Sequence, residues 1–330
     1  MPDLPRLRSL IRGFQQSAAV IVAADLGLSD LLVRGPSTVS DLAAATSTHE
    51  DTLGRLLHAL STIGVYEERP DGTYANTDLG AGLRSDVPGS LRPLARTVGT
   101  PTHWAAWGHL GASVRTGENA FSALHGVDVW THRLAHPVEN QVFNDNMASL
   151  TSSVAAAVAA AYDFEGLASV VDVGGGHGVL LAAVLGRHPG LTGTVFDLPH
   201  AVEDEPPSAD LAPRWSAVAG SFFEEVPAAD AYLVKSILHD WPDDRCVEIL
   251  RTLRRGLHPD GVVLVVETVL GRPGHEQAAA FSDLNMLVMP GGRERTEQQY
   301  AALFAAAGLE LTRVIDTDSR MSVVEGRVGG

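Results

Sequence analysis

A glycine-rich segment carries residue types that suit the binding of a cofactor. Residues 170–184 read Val-Val-Asp-Val-Gly-Gly-Gly-His-Gly-Val-Leu-Leu-Ala-Ala-Val, with glycine at 174, 175, 176 and 178 between two apolar runs. Glycine lets a ligand approach the bare backbone, and the free N–H groups at the start of a following helix attract negative charge. The pattern predicts a strand, a tight turn and a helix. The turn is then either a cofactor cradle or an ordinary connection.

An acidic residue downstream favours the cofactor interpretation. A second apolar run, residues 194–196, ends in Asp197, which lies 23 residues after Gly174. A carboxylate at the end of the second strand of such a unit is placed to accept both hydroxyls of a ribose. The dinucleotide fingerprint Gly-x-Gly-x-x-Gly fits poorly, because valine follows the last glycine of the turn. Glycine turn and carboxylate together predict an adenosine-type cofactor.

A histidine and a glutamate at neighbouring strand ends have the chemistry for proton transfer. His239 follows the apolar run 231–234, and Glu267 comes directly after the run 262–266. Ligands collect at the carboxyl ends of the strands in doubly wound sheets, so the two side chains can meet in one cleft. Taken alone, a histidine before Asp-Trp-Pro is structural more often than catalytic. Both interpretations stay open on these residues alone.

The elements that must position these residues alternate between short apolar runs and helical patterns. A further apolar run, residues 217–219, lies between the runs 194–196 and 231–234. All of these runs are expected to form strands that are buried on both faces. Such strands form a parallel sheet flanked by helices. The second half of the chain is therefore predicted to adopt an α/β fold with a doubly wound sheet.

The first hundred residues follow a different plan. Apolar positions from 4 to 32 recur at helical spacing, two further helical patterns follow, and residues 65–75 read as a hairpin. Helix, helix and hairpin form the plan of a winged helix. The helix that would read DNA, residues 48–61, has no cluster of Arg or Lys to meet phosphates. A dimerisation or packing module is favoured over a DNA-binding one.

Composition restricts the partners and the compartment. The 330 residues include 40 Asp and Glu against 24 Lys and Arg, and the formal charge of −16 repels nucleic acid and anionic lipid. The single cysteine, Cys246, is compatible with a reducing cytoplasm. The most apolar early run, residues 18–33, contains Asp25 and Asp30 and is too short to span a bilayer. We expect a cytoplasmic protein with neither a nucleic-acid nor a membrane partner.

Five motifs in order give the chain a specific resemblance. They are Val-Asp-Val-Gly-Gly-Gly-His-Gly, Phe-Asp-Leu-Pro-His, Leu-His-Asp-Trp-Pro-Asp-Asp, Asp-Leu-Asn-Met-Leu-Val and Gly-Gly-Arg-Glu-Arg-Thr. With them, nearly the whole chain resembles the S-adenosylmethionine-dependent O-methyltransferases of the plant caffeate and acetylserotonin type and their bacterial secondary-metabolite relatives. The resemblance implies a class I methyltransferase fold. It also implies a winged-helix dimerisation domain over residues 1–100, a Rossmann-like catalytic domain with preceding pocket-lining helices over 101–330, and a homodimer formed through the first domain.

The resemblance further implies a site for S-adenosylmethionine. The family commonly has aspartate where this chain has Ser221, and the loss of that charge predicts a lower affinity for the cofactor. The implied contacts are Asp172, Gly174, Gly175 and Gly176 near the methionyl part, Asp197 on the ribose, Leu198 and Phe222 on either side of adenine, Ser221 facing its exocyclic amine, and Lys235 close by.

For catalysis, the resemblance implies that His239 is the general base, with Glu267 and Glu294 beside it and Asp240 shaping the turn. Of the two glutamates, Glu267 is expected to hold the imidazole tautomer and to stabilise the imidazolium. Glu294 by itself reads as a solvated charge between two arginines. No cluster of His, Cys and carboxylates has metal-ligand spacing, so we expect metal-independent chemistry.

Several side chains are candidates for contact with the acceptor. Trp104 lies in an aromatic-rich helical region, where such residues are more often core than ligand contacts. Phe143 and Met147 lie one helical turn apart and can floor an aromatic-binding pocket. The resemblance adds Asn285 and Met286, which otherwise read as helix-packing residues.

A histidine base favours an acidic hydroxyl. A phenol of pKa about 10 lies roughly 3.5 units above an unperturbed histidine, or about 5 kcal/mol, whereas an alkanol near the pKa of water leaves roughly 12 kcal/mol. The expected reaction is methylation of a phenolic or enolic hydroxyl of a small aromatic metabolite. One alternative is the same scaffold repurposed as a hydroxylase, decarboxylase or pericyclase, against which His239 and Glu267 argue. A ligand-sensing transcription factor is the other.

Overall fold

The computed structural model describes residues 2–202 and 206–329. The chain divides into two compact units, Met1–Trp104 with His136–Ser149, and Ala105–Ala135 with Leu150–Gly330. This division differs from the predicted domains 1–100 and 101–330, because residues 136–149 pack with the first unit.

The helices of the described residues are short, apart from one of 25 residues. They are α1 (Leu4–Ile11), α2 (Gly13–Asp25), α3 (Leu28–Leu31), α4 (Val39–Thr46), α5 (Glu50–Thr62), α6 (Asp78–Ala81), α7 (Arg92–Val98), α8 (Pro101–Gly108), α9 (Leu110–Thr116), α10 (Ala120–His125), α11 (Val129–Ala135), α12 (Pro137–Ala161), α13 (Val179–Arg187), α14 (Asp243–Gly256), α15 (Glu276–Val288) and α16 (Glu297–Ala307). Short 3-10 turns cover Leu32–Arg34, Ala212–Arg214 and Leu238–Asp240.

The strands of the described residues form three sheets of seven, three and two strands. They are β1 (Ser37–Thr38), β2 (Tyr66–Glu68), β3 (Thr73–Asn76), β4 (Ser169–Val173), β5 (Thr192–Asp197), β6 (Trp215–Ala219), β7 (Ala229–Lys235), β8 (Leu257–Glu267), β9 (Val269–Leu270), β10 (Arg295–Thr296), β11 (Leu309–Asp316) and β12 (Ser322–Val328).

The first unit contains the predicted helix, helix and hairpin. Thr38 caps α4, because its hydroxyl accepts the N–H of Asp41 at 3.1 Å. The apolar face of α5 is buried, and β2 and β3 pair antiparallel as the hairpin requires. By contrast, α1 has no buried residue, and its four large apolar side chains are between 52% and 69% exposed. They are Leu4, Leu7, Leu10 and Ile11.

Within the described ranges, no single helix is long and apolar enough to cross a bilayer. Helix α2 and the segment Leu28–Arg34 reach that length and apolar composition only when taken together, and they are bent by 54° at the break between them. Part of this pair, including Ala23 and Leu28, belongs to the hydrophobic core of the first unit.

The second unit is built on the seven-stranded sheet, with strand order β11-β12-β8-β7-β4-β5-β6. The five strands from β8 to β6 are parallel, which confirms the predicted α/β fold. Side chains alternate between two cores: Val170 and Leu233 face one layer, while Val171 and Val234 face the other. Burial on both faces explains why these strands read as unbroken apolar runs.

Two features of this sheet differ from the expectation. Strand β6, which covers the run 217–219, is an edge strand, and Val218 is 39% exposed. The expectation that this run is buried on both faces was wrong, since an edge strand has a neighbour on one side only. The antiparallel hairpin of β11 and β12 was not predicted, and it places β12 against β8.

Candidate active site

The glycine turn between β4 and α13 is shaped by close contacts that only glycine permits. Gly174 has φ +68°, and a β-carbon there would lie 2.5 Å from Cδ1 of Ile237. Asp197 closes the turn from the end of β5, because its Oδ2 accepts the N–H of Gly176 at 2.9 Å. Its Oδ1 accepts the N–H of Leu198 at 2.7 Å. The structure thus brings the predicted turn and the predicted carboxylate together.

A buried pair of opposite charges lies behind this turn. Asp172 is 2% exposed, and its Oδ2 accepts one long hydrogen bond from the N–H of Leu181 at 3.3 Å. Burial raises the pKa of Asp172 to about 7, although Lys235 opposes this shift. Burial lowers the pKa of Lys235, against the charge of Asp172, and its Nζ donates to Ser236 Oγ at 3.0 Å. Both charges are incompletely compensated.

His239 lies in the 3-10 turn that follows β7, and one of its ring nitrogens is held. Nδ1 is 3.0 Å from Oε1 of Glu294, whose side chain is 1% exposed. A carboxylate can only accept, so in the neutral ring Nδ1 carries the hydrogen and Nε2 keeps its lone pair. Nε2 is 3.7 Å from Oδ1 of Asp240, too far for a hydrogen bond. The arrangement can accept a proton at Nε2.

Glu294, and not Glu267, is the carboxylate that contacts the imidazole, so the expectation for Glu267 was wrong. Oε1 of Glu267 instead accepts the backbone N–H groups of Ile237 at 3.0 Å and His239 at 3.1 Å. Its Oε2 accepts the hydroxyl of Tyr300. Glu267 is 0% exposed, and with three donors it holds the backbone of the turn rather than the ring.

The turn that carries His239 is clamped from the opposite side by the segment 292–295. Arg295 is 0% exposed, and its guanidinium donates to the carbonyl oxygens of Leu238 at 2.9 Å and Trp241 at 2.8 Å. The backbone approach is so close that a β-carbon on Gly292 would lie 2.0 Å from the carbonyl oxygen of His239. Glycine is therefore required at position 292, and the backbone of the turn is held by contacts on both sides of the histidine.

Negative charge around His239 decides its protonation. Burial by itself would lower the pKa of His239, but Asp240 and Glu294, with Glu267, outweigh burial and raise it to about 10. Burial raises the pKa of Asp240 to about 6, against the charge of His239. The charge and the hydrogen bond of His239 outweigh burial at Glu294 and lower its pKa. At neutral pH, both shifts favour an imidazolium that faces a carboxylate.

The other predicted contacts fall into two groups. Ser221, Phe222, Asn285 and Met286 belong to the second unit, as do Leu198 and all residues of the glycine turn. Leu198 is 42% exposed, and the hydroxyl of Ser221 accepts the N–H of Phe223 at 3.3 Å. Trp104, Phe143 and Met147 belong to the first unit. For these three residues, contact with an acceptor stays a prediction.

Sequence reasoning missed four side chains that organise this site. Arg295 was considered only as a neighbour of Glu294, although it lies in the Gly-Gly-Arg-Glu-Arg-Thr motif, which was a usable signal. Tyr300 and Ser282 follow no local pattern, yet Ser282 Oγ donates to Glu294 Oε1 at 2.6 Å. Trp107 lies in the same aromatic-rich region as Trp104 and was not singled out, although its indole contacts Asn285 at 3.2 Å.

Metal ligands were not expected from the sequence. Among residues 2–202 and 206–329, no group of three or more His, Cys, Asp or Glu side chains is arranged to hold a metal ion. Metal-independent chemistry stays a prediction.

Two family models match this chain. The O-methyltransferase domain matches residues 107–310, and the O-methyltransferase dimerisation domain matches residues 9–85. A curated relative, the mitomycin biosynthesis 6-O-methyltransferase of Streptomyces lavendulae, is 41% identical over 313 residues, which cover 93% of this chain and 89% of that protein. The match spans both units.

Solved structures give the same result for the fold. The crystal structure of LaPhzM has a TM-score of 0.93 at 38% sequence identity, and the match covers 100% of both chains. NcsB1, an O-methyltransferase from neocarzinostatin biosynthesis, was solved in complex with S-adenosylmethionine and 2-hydroxy-5-methyl naphthoic acid. Its TM-score is 0.80 at 34% identity, covering 95% of this chain and 96% of that chain. The predicted fold class and cofactor are confirmed by these similarities.

Proposed function

This chain belongs to the S-adenosylmethionine-dependent O-methyltransferases, and from that premise we propose that it methylates a phenolic or enolic hydroxyl of a small aromatic metabolite with His239 as general base. The observation that carries the proposal is the 3.0 Å contact between Nδ1 of His239 and the buried Glu294. An imidazole held in this way presents Nε2 to a substrate proton. Methyl transfer to oxygen requires removal of that proton.

The residues at the glycine turn fit S-adenosylmethionine. A side chain at Gly174 would collide with Ile237, so the backbone there is bare. Asp197 accepts two backbone N–H groups, and a carboxylate has about four lone-pair sites, so it can also accept ribose hydroxyls. When bound, S-adenosylmethionine supplies an electrophilic methyl group on a sulfonium. The proposed contacts are Asp172, Gly174, Gly175 and Gly176 near the methionyl part, Asp197 on the ribose, Leu198 and Phe222 beside adenine, and Ser221 and Lys235 near its amine.

His239 is matched to the pKa of a phenol. Its pKa is raised to about 10, and a phenol also titrates near 10, so the gap of about 5 kcal/mol that faces an unperturbed histidine closes. The same shift leaves the free ring protonated at neutral pH. A protonated ring cannot act as a base, so kcat/KM is expected to rise with pH as His239 loses its proton.

Relatives support an aromatic acceptor. One is named for mitomycin biosynthesis, and another binds a hydroxylated naphthoic acid beside S-adenosylmethionine. Asn285 and Met286 lie on the helix that also bears Ser282, whose hydroxyl bonds to Glu294. We infer that Asn285 and Met286 line the acceptor pocket.

The alternatives raised from the sequence gain no support from the relatives. The mitomycin relative and NcsB1 are both named as O-methyltransferases, and NcsB1 was solved in complex with S-adenosylmethionine. A methyl transferase is therefore retained as the single candidate function.

A homodimer through the first unit is the proposed assembly. Residues 9–85 match the O-methyltransferase dimerisation domain. Exposed apolar side chains on α1, such as Leu7 and Leu10, favour coverage by a second copy of the chain. A cytoplasmic location stays a prediction from the sequence.

Replacing the proposed base tests the function. We expect His239→Ala to lower kcat by about 10²–10⁴-fold on any acceptor that the wild type methylates, because general-base assistance is lost. Calorimetry should show that S-adenosylmethionine still binds, since His239 is not among the proposed contacts of the cofactor. His49→Ala, an exposed histidine of the first unit, is the matched control and should turn over normally. Unchanged turnover in His239→Ala would exclude the role of base.

A further inference from the structure

A hydrogen bond between two helices of the second unit fixes the orientation of one side-chain amide. Nε1 of Trp107, in α8, lies 3.2 Å from Oδ1 of Asn285, in α15. An indole N–H can only donate, so it can face only the oxygen of the amide. The two N–H donors of Asn285 are therefore turned away from Trp107.

This amide lies on the same helix as Ser282, which contacts the glutamate that holds His239. Glu294 accepts from His239 at 3.0 Å and from Ser282 at 2.6 Å through the same oxygen, Oε1. Ser282 and Asn285 are three residues apart in α15, so they lie on the same face of the helix, about one turn from each other. Asn285 thus borders the space beside the group that holds the base.

The amide nitrogen of Asn285 has no acceptor within the described chain. Asn285 is half-buried, and no hydrogen bond leads from its Nδ2. Its partner is in an apolar environment: Trp107 packs against a buried cluster that contains Phe121 and Met289. A few polar groups in an apolar pocket are what fixes the orientation of a small ligand.

We propose that Asn285, oriented by Trp107, selects aromatic acceptors that carry a hydrogen-bond-accepting atom, a carbonyl oxygen or a ring nitrogen, close to the hydroxyl that is methylated. Trp107 is a positioning residue, since it acts through Asn285. An acceptor with a C–H group at that place leaves two donors unpaired in an apolar environment and is disfavoured. The inference rests on the proposed methyl transfer, to which it adds a subsite.

Matched pairs of acceptors test this subsite. In 8-hydroxyquinoline, a ring nitrogen beside the hydroxyl replaces one C–H group of 1-naphthol without change of shape. In 1-hydroxyphenazine, two ring nitrogens replace two C–H groups of 1-hydroxyanthracene, and one of these nitrogens lies beside the hydroxyl. For the wild type, we expect kcat/KM, measured as formation of demethylated cofactor, to favour the nitrogen member by about tenfold to hundredfold. Comparing this ratio between variants removes the difference in hydroxyl pKa within a pair, because that difference is common to every variant.

Two substitutions separate donation from packing. Asn285→Asp keeps an oxygen for the indole of Trp107 but offers no donor, so the preference for the nitrogen member should disappear or reverse. Trp107→Phe removes the orienting N–H together with part of the ring, which frees the amide to turn, and the preference should fall by several-fold. Gln277→Glu makes the same amide-to-carboxylate change at an exposed position of α15 and should keep the wild-type ratio.

The outcomes distinguish this inference from the proposed function. If both members of a pair are methylated and the ratio in Asn285→Asp equals that of the wild type, the subsite is wrong while the methyl transfer stands. If no hydroxylated aromatic yields demethylated cofactor, the proposed function fails, and the inference falls with it. If Asn285→Asp no longer prefers the nitrogen member of a pair in kcat/KM, and Gln277→Glu keeps the wild-type preference, the subsite is supported.

Discussion

The parallel strands of the seven-stranded sheet begin at one edge of the sheet and end at the opposite edge. The charged side chains at these two edges differ in how completely they are paired. At the edge where the strands begin, Asp230 accepts the N–H groups of Ala168 and Ser169 at 2.8 and 2.9 Å and the hydroxyl of Ser169 at 3.0 Å. His258 lies 2.9 Å from its other oxygen. Burial opposes the charge, but His258 and these donors outweigh burial and lower the pKa of Asp230 to about 2. This carboxylate is fully paired.

At the edge where the strands end, charges face one another with few other partners. Asp172 has one long hydrogen bond and a pKa raised by burial to about 7. Oε2 of Glu294 is buried and has no hydrogen-bond partner among the described residues. Perturbed pKa values of this kind concentrate at functional sites, because catalytic groups need pKa values matched to their reaction. The comparison therefore separates a structural edge of the sheet from the edge that carries the proposed active site.

Glu267 is the exception to this comparison, because it lies where the strands end but is fully paired, as Asp230 is. Its replacement has the largest expected effect. We expect Glu267→Ala to lower the free energy of unfolding by about 3 kcal/mol or more, since one buried and two partly buried donors lose their acceptor at about 1–3 kcal/mol each. Urea unfolding measures this change. Glu310→Ala, on the exposed side of β11, is the control and should stay within about 0.5 kcal/mol of the wild type. A loss below about 1 kcal/mol in Glu267→Ala would show that Glu267 does not hold the turn.

Glu294→Gln sharpens the comparison by removing one charge from the edge that carries the proposed active site. The charge of Glu294 is one of the causes that raise the pKa of His239, so its removal lowers that pKa. The acidic limb of the kcat/KM profile should move to lower pH. We expect kcat to fall by about tenfold, because a charge-assisted hydrogen bond becomes a neutral one. A limb that stays at the wild-type pH would contradict the assignment of Glu294.

Asp230→Asn tests the structural edge and has the smallest expected effect. The free energy of unfolding should fall by about 1–2 kcal/mol, while kcat should not change, since Asp230 lies at the opposite edge from His239. The folded-state pKa is lowered, so the stabilisation is present above the unfolded value near 3.9 and is lost as the pH falls toward 2. Urea unfolding at pH 6 and pH 3 should show the difference shrinking. If the difference in the free energy of unfolding between wild type and Asp230→Asn were the same at both pH values, the charge of Asp230 would not be the source of the stabilisation.

Most of the fold could be predicted because its central strands are buried on both faces. The terminal hairpin could not, because β11 and β12 carry charged residues that hide the strand pattern. Glu325 is 3% exposed, yet it is paired with Arg313 at 2.9 Å and Arg327 at 3.1 Å. The edge position of β6 was also invisible, since an apolar run does not show how many neighbours it has.

The residues of the site that lie in sequence motifs could be predicted, whereas the contacts between distant residues could not. Ordered motifs identified His239 and the glycine turn, but both glutamates lie far from His239 along the chain. Glu267 follows the apolar run 262–266 directly, which made it the natural choice, whereas its Oε1 accepts two backbone N–H groups in the structure. The contact of Trp107 with Asn285 joins residues 178 positions apart, and no local pattern marks it.

Direct titration of His239 tests the central claim that buried carboxylates hold this imidazole as a base. The ring nitrogens are followed by NMR in protein labelled at histidine, and the signal is assigned by its loss in His239→Asn. We expect a pKa well above 6.5, the hydrogen on Nδ1 after deprotonation, and a lower pKa in Glu294→Gln. A pKa near 6.5 that Glu294→Gln leaves unchanged would contradict the account.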